Sequence, residues 1–318
     1  MKRLLSAAIL LMIAGGLAIG QERRVLIPVN VSLFPVFGLS DSVTVVNNVQ
    51  INAGVGYSDE LHGVAVGVVN IVGNEVRGAQ TGVVNLVGGD VRGAQIGVVN
   101  LTRREVFGPQ IGVVNGSLKA VHGPQVGVVN LAAESPFQTG VVNSAVDASG
   151  VQVGVVNVAV RNTGAPIGLV SVVLKGGQTH VQSWIDETGL VSVGLIHGSQ
   201  TTYNIYTVAT DAELEQVSLG MGLGVRFGGN RSWTNIEVTG ASVSRTDALF
   251  QSASSVYRVR AYAGYKIGPV AVIGGVSFNY LMSPGRSGVQ LGPLHGYEFD
   301  FSSDRHRFWP GAFVGIRL

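Results

Sequence analysis

A tandem repeat of almost constant length restricts this chain more than any other feature. Its core, Gly-x-Gln-x-Gly-Val-Val-Asn, recurs from about Gly63 to Leu174. The Asn falls at Asn70, Asn85, Asn100, Asn115 and Asn130, every 15 residues, then at Asn143 and Asn157, with Ser171 in the last copy. The preceding glycine recurs at Gly67, Gly82, Gly97, Gly112, Gly127, Gly140, Gly154 and Gly168. Glutamine recurs at Gln80, Gln95, Gln110, Gln125, Gln138 and Gln152, replaced by Ala65 in the first copy and Pro166 in the last. Self-similarity at a short fixed period means one small structural unit per copy, stacked on its neighbours.

Each unit reads as a β-strand. Val91 to Thr102 is rich in β-branched residues and glycine and has no 3.6-residue period. Strict alternation would put Val91, Gly93, Gln95, Gly97, Val99 and Leu101 on one face. Arg92, Ala94, Ile96, Val98 and Asn100 would take the other. Gly73-Asn74-Glu75, Gly88-Gly89-Asp90 and Arg103-Arg104-Glu105 supply the turns, and Pro109 and Pro124 suit strand starts. Two architectures accept such a period. An antiparallel meander would close into a barrel, with the Gln series facing its lumen. A β-solenoid would stack Asn on Asn and Val on Val, one coil per copy. The near-identity of the copies and their few aromatics, Phe107 and Phe137, suit the solenoid.

From about Gln178 the repeat stops and aromatics return. Gln216 to Gly228, Ser232 to Ser244, Ser255 to Ile267, Val270 to Met282 and Phe308 to Leu318 alternate cleanly and read as longer strands. Gly268-Pro269 makes a tight turn, and Ser283 to Arg307 reads as a long polar loop. Short turns alternating with long loops are the asymmetry of outer-membrane barrels. In the last strand Leu318, Ile316, Val314 and Ala312 form an apolar row. That row resembles the C-terminal signal by which such barrels are recognised for assembly, with Leu in place of the usual terminal aromatic.

The N-terminus, MKRLLSAAILLMIAGGLAIG, has a basic start at Lys2 and Arg3, an apolar run from Leu4 to Leu17, and small residues at Ala18 and Gly20. This is the three-part pattern of a cleaved secretory signal. The run is shorter than the roughly 20 residues a spanning helix needs. Removing Lys2 and Arg3 takes the basic count from 21 to 19, against 19 acidic residues, so the mature chain is neutral and carries no electrostatic signature of nucleic-acid binding. Charged residues make up 13% of the chain, against about 25% in ordinary globular proteins. The absence of cysteine excludes a lipid anchor on an N-terminal Cys and any thiol or Cys-metal chemistry.

The repeat block resembles the uncharacterised surface-repeat proteins of bacterial envelopes, built on tandem Gly-x-Gln-x-Gly-x-x-Asn units. Gly164-Ala165-Pro166-Ile167-Gly168-Leu169-Val170-Ser171 is similar to the way those arrays end. The resemblance covers roughly Asn47 to Tyr206. It implies surface or outer-membrane placement and brings no activity, ligand or catalytic residue.

No strong active-site motif appears. Gly220-Met221-Gly222-Leu223-Gly224 lacks the spacing of a dinucleotide fingerprint and suits a smooth strand face. No catalytic or cofactor-binding residue is nominated. The one polar cluster that could hold a cation is His295, Glu298, Asp300, Asp304 and His306, but the better reading of it is a solvated loop tip, and no metal site is nominated. The repeated Asn and Gln are read as structural, since buried amides must be paired and repeated amides can pair with one another.

The expectation is therefore an all-β chain: signal peptide 1–20, lead-in strands 21–62, repeat block 63–177, and barrel strands 178–318 with a polar loop near 283–307. The leading fold is an antiparallel outer-membrane barrel with about eight repeat strands plus longer C-terminal ones. The alternative is an N-terminal solenoid followed by a smaller barrel. The expected function is non-enzymatic, structural or pore-forming. The alternative is a surface module binding host, matrix or envelope partners. Outer-membrane lipid and the barrel-assembly machinery are the expected partners, with no nucleic acid and no cofactor.

Overall fold

A computed structural model describes residues 23–32, 43–249, 253–283, 289, 291–294, 296, 299 and 306–318. The expected signal peptide and most of the expected polar loop lie outside them. The described chain is all-β, and both architectures that the sequence left open are present, one in each half.

The first half is a solenoid. Its strands are β1 (Arg23–Ser32), β2 (Val43–Ser58), β3 (Glu60–Val72), β4 (Val76–Val87), β5 (Val91–Thr102) and the short β6 (Gln110–Ile111), β7 (Val114–Ser117) and β8 (Gln125–Val126). β9 (Val129–Thr139), β10 (Val142–Asn162) and β11 (Ala165–Lys175) complete it. They form one 11-stranded sheet in which successive coils pair in parallel. The repeats therefore do not contribute strands to an antiparallel barrel. The pairing has no stagger between copies: Gln80 lies opposite Gln95, Gly82 opposite Gly97 and Asn85 opposite Asn100. β1 and β2 already pair in parallel with each other and β2 with β3, so the lead-in strands belong to the solenoid. As expected, Pro109 and Pro124 immediately precede strands β6 and β8.

Simple alternation fails at one place in each coil. Gln95 and Asn100, five positions apart, are both fully buried, although strict alternation puts them on opposite faces. The chain turns a corner between them, at Gly97, so both amides point inward while Ile96 and Val98 point out. That corner requires glycine. A Cβ on Gly112 would stand 2.7 Å from Asn100 Nδ2 and closer still to the carbonyl of Gly97 in the preceding coil. The interior is shared by the amide columns and an apolar one, Val76, Val91, Val106 and Val121.

The second half is a closed antiparallel barrel of β12 (Gln178–Asp186), β13 (Val191–Gly198), β14 (Thr202–Thr210), β15 (Gln216–Gly228), β16 (Ser232–Arg245), β17 (Ser254–Ile267), β18 (Val270–Met282) and β19 (His306–Arg317). β12 closes the ring by pairing with β19. The five long strands read from sequence match β15 to β19 to within two residues at each end. Gly268, at φ +65, makes the β17–β18 turn, a conformation that disfavours any residue with a Cβ. Among the described residues no helix is long and apolar enough to cross a membrane, which leaves strands untested.

The two halves meet at the last coil. Asn204 and Tyr206, on the outer side of β14, donate to the carbonyls of Gly168 and Leu169, each at 2.5 Å. Ser199, in the β13–β14 turn, donates to the Gly164 carbonyl at 2.9 Å.

Candidate functional site: amide ladders and a charged barrel interior

The candidate residues of the repeat form two ladders inside the solenoid. Asn70, Asn85, Asn100 and Asn115 each donate Nδ2 to Oδ1 of the Asn one coil on, at 2.8–2.9 Å. The series continues through Asn130 and Asn143 to Asn157. Each Asn also donates to a backbone carbonyl at the next corner, as Asn85 does to Ile96 at 3.0 Å. The Gln ladder runs the other way: Gln95 donates back to Gln80 at 3.1 Å, Gln110 to Gln95 at 2.7 Å, and Gln125 to Gln110 at 2.8 Å. The two columns of amide dipoles thus oppose each other.

The ends of the ladders explain the irregular copies. Gln80 Nε2 has no acceptor among the described residues, because Ala65 stands where the next Gln would be. At the other end Asn162 donates to Gln152 at 3.0 Å, replacing the rung that Pro166 cannot supply. Gly67, Gly82, Gly97, Gly112 and Gly127 hold the corners beside the Asn ladder. These residues bind one another and leave no donor set turned toward a ligand. Asn100 and Asn115, which match glycosylation sequons, are fully buried in the ladder.

The barrel interior carries the molecule's concentrated charge. Glu237, fully buried on β16, accepts from Tyr203 Oη at 2.8 Å and Tyr262 Oη at 2.5 Å, and pairs with Arg260. The Arg260 guanidinium lies 4.4 Å from the centre of the Trp184 ring. Arg317 donates to Gln182 at 2.9 Å and to Tyr262 at 2.7 Å. Arg258 faces Asp186 at 3.5 Å, and Glu187 accepts from Asn279 and the Trp309 indole, both at 2.8 Å. Glycine makes room for these rings. A Cβ on Gly264 would overlap the Trp233 ring, and one on Gly224 the Tyr203 ring. The run Gly220, Gly222, Gly224 is thus a bare inward strand face.

The outer wall is the opposite. Leu219, Met221, Leu223, Val225, Ile236, Val238, Val259, Val276, Val314 and Ile316 are exposed. Among the described residues, no Asp, Glu, Lys or Arg occupies an outward row of the eight strands. The row of Ala312, Val314, Ile316 and Leu318 read from sequence is part of this wall. Outward aromatics stand at both ends. Tyr257, Tyr280 and Phe308 stack in series near the long-loop end, with Phe278 beside them. Phe227 and Tyr265 stand near the short-turn end. Tyr257 and Tyr265 are eight positions apart on β17, about 26 Å along a strand.

Of the polar loop cluster, His295, Glu298, Asp300 and Asp304 lie outside the described residues. His306 opens β19 on the outer side, with Nδ1 2.8 Å from the Tyr280 hydroxyl and its ring stacked on Tyr280. Among the described residues, no three His, Asp or Glu side chains come together as a metal site.

The buried charges went unmarked in the sequence reading. Their signal was present: Arg258 and Arg260 alternate with Val259 and Ala261 in the middle of a strand, where a charge must face an enclosed partner. Chemically, the Glu237 carboxylate is engaged by two phenols and a guanidinium, while Trp184 and Phe313 pack on the Arg260 guanidinium and Trp233 on that of Arg317. That arrangement fixes strands to one another. Comparison with protein-family models, with characterised proteins and with solved structures finds no match.

Proposed function

We propose that this chain is a non-enzymatic outer-membrane protein whose eight-stranded barrel anchors a rigid repeat solenoid. One observation carries the reading: the barrel is inverted, with Glu237, Arg260 and Arg317 buried inside and Val, Leu, Ile and Met exposed outside. Water penalises such a wall and rewards charges on it, whereas a bilayer does the reverse. The aromatics at both ends and the uncharged outward rows fit a lipid-facing band about 25 Å tall. The sequence pattern of a cleaved secretory signal agrees with export. Outer-membrane lipid and the barrel-assembly machinery are then its partners.

The structural half of the expected function is the better supported. An eight-stranded barrel is just wide enough for its own side chains to fill. Here Trp184, Tyr203, Trp233, Tyr262 and Phe313 pack together across the interior. A heat-modifiability gel on outer-membrane fractions tests the anchor. The unheated protein should migrate faster than the boiled one and resist carbonate extraction. Unchanged mobility together with release by carbonate overturns the reading.

Display of the repeats to host or matrix molecules has less support. The solenoid joins the barrel at the short-turn end, the end that faces the periplasm in outer-membrane barrels. Protease added to intact cells should leave the repeats uncut and should cut them once the outer membrane is opened. Release of a repeat fragment from intact cells would favour the display reading.

A further inference from the structure

A row of corners runs along the outside of the solenoid, apart from the barrel. In eight successive coils, from Gly67 to Gly168, the corner glycine is followed by an outward apolar residue: Val68, Val83, Val98, Val113, Val128 and Val141 in the first six. Val155 and Leu169 continue the column, and every member is 43–53% exposed. Ile96, Ile111 and Val126 flank the glycines on the other side. At about 4.8 Å per strand step, the ridge is about 34 Å long. Soluble monomers rarely leave so continuous an apolar strip bare.

Charge is kept away from this ridge. Every Asp, Glu, Lys and Arg from Glu75 to Lys175 lies three or four positions after the Asn column or eight to ten before the next one. From the coil of Gly82 to that of Gly168 the solenoid is therefore amphipathic.

The junction with the barrel gives the ridge a height. In the last coil, Gly164 meets Ser199 in the rim turn, whereas the ridge residues Gly168 and Leu169 meet Asn204 and Tyr206, further up the outer wall of β14. Lys175, on the charged side, leads directly into the rim at Gln178. Each earlier coil is a translated copy of the last. The stack thus extends sideways from the barrel with its ridge level with the wall and its charges on the rim side.

From this we infer that the ridge lies in the lipid leaflet around the barrel's short-turn end, so that the solenoid rests along the membrane surface. The inference rests on the anchor reading. Amphipathic elements at such a boundary sink their apolar face about 5–10 Å toward the acyl chains. The occupant is lipid because the ridge runs continuously into the barrel's apolar wall.

The chain has no cysteine, so single sites can be labelled in the full-length protein. Val98→Cys on the ridge, Val259→Cys on the barrel wall and Arg104→Cys on the charged side would each carry an environment-sensitive fluorophore. The protein is refolded into phosphatidylcholine vesicles containing lipid with a nitroxide near the headgroup. The labels at positions 98 and 259 should lose fluorescence to the lipid nitroxide, and the label at 104 only to aqueous iodide. Val113→Cys, one coil on, repeats the ridge measurement should Val98→Cys fail to fold. Quenching by lipid at 259 with iodide quenching at 98 overturns this inference and leaves the anchor standing. Iodide quenching at 259 overturns both. A ridge label shielded from both quenchers, and released by diluting the protein in lipid, would assign the ridge to a second copy and overturn the lipid assignment.

Discussion

The solenoid and the barrel both bury polar side chains, yet they pair them by different rules. In the solenoid each residue lies opposite its own counterpart, as Gln80 does Gln95 and Asn85 does Asn100. A buried column must then be self-complementary. Amides qualify, since each has a donor and an acceptor, whereas a column of like charges would repel itself. In the antiparallel barrel each strand meets a different sequence, so unlike groups can be brought together, as Glu237 and Arg260 are on β16 and β17. The solenoid's charges confirm the contrast. Most lie on its outer surface, where Glu75 pairs with both Arg77 and Arg92, and Asp147 with Arg161. Translation thus selects neutral amides for the interior, and antiparallel pairing permits salt bridges there.

This contrast can be broken most sharply in the barrel. Glu237→Ala leaves Arg260 buried without its carboxylate, and removing one member of a buried pair costs about 3–5 kcal/mol. A lowered midpoint of urea unfolding in lipid vesicles checks this, and Glu237→Gln with Arg260→Met should recover part of the loss. Next in size is Val259→Arg on the outer wall, which should cost about 2–4 kcal/mol in a bilayer. The same substitution should be far milder in detergent micelles, which adapt to it. In the solenoid, Asn100→Ala removes the donor to Asn115 Oδ1 and the acceptor for Asn85 Nδ2. Leaving a buried polar group unpaired costs about 1–3 kcal/mol. Because each coil contacts only its neighbours, hydrogen exchange should rise in the coils of Asn85 and Asn115 and not in the barrel.

The smallest effect is expected at an ion pair on the outside of β10. Arg161 holds the Asp147 carboxyl below the usual carboxylate range. A depressed folded value means a contribution present above the unfolded carboxylate pKa and lost as the pH falls through the folded value. Arg161 is exposed and Asp147 partly so, so Asp147→Asn should barely move the unfolding midpoint at neutral pH and should remove a shallow acid-side slope.

Particular residues show how far the sequence can be read. The strand bounds of β15 to β19 and the turn at Gly268 were legible, because alternation and turn chemistry are local. The inward place of both Gln95 and Asn100 was not, because a five-residue spacing contradicts alternation unless the chain turns between them. The buried Glu237–Arg260 pair was also hidden, since its partners sit on different strands and meet only through their register.

By itself the sequence determined that the chain is all-β, that its units are about 15 residues long, where glycine must stand, and where the repeat gives way to longer strands. These follow from side-chain alternation, backbone sterics and composition, which act within a few residues. Only the tertiary structure decided that the repeats pair in parallel while the later strands pair antiparallel. A strand offers the same hydrogen-bonding groups to a neighbour of either direction, so the choice lies in which distant segment it meets. For the repeats, stacking each amide on its own copy satisfies the buried polar groups.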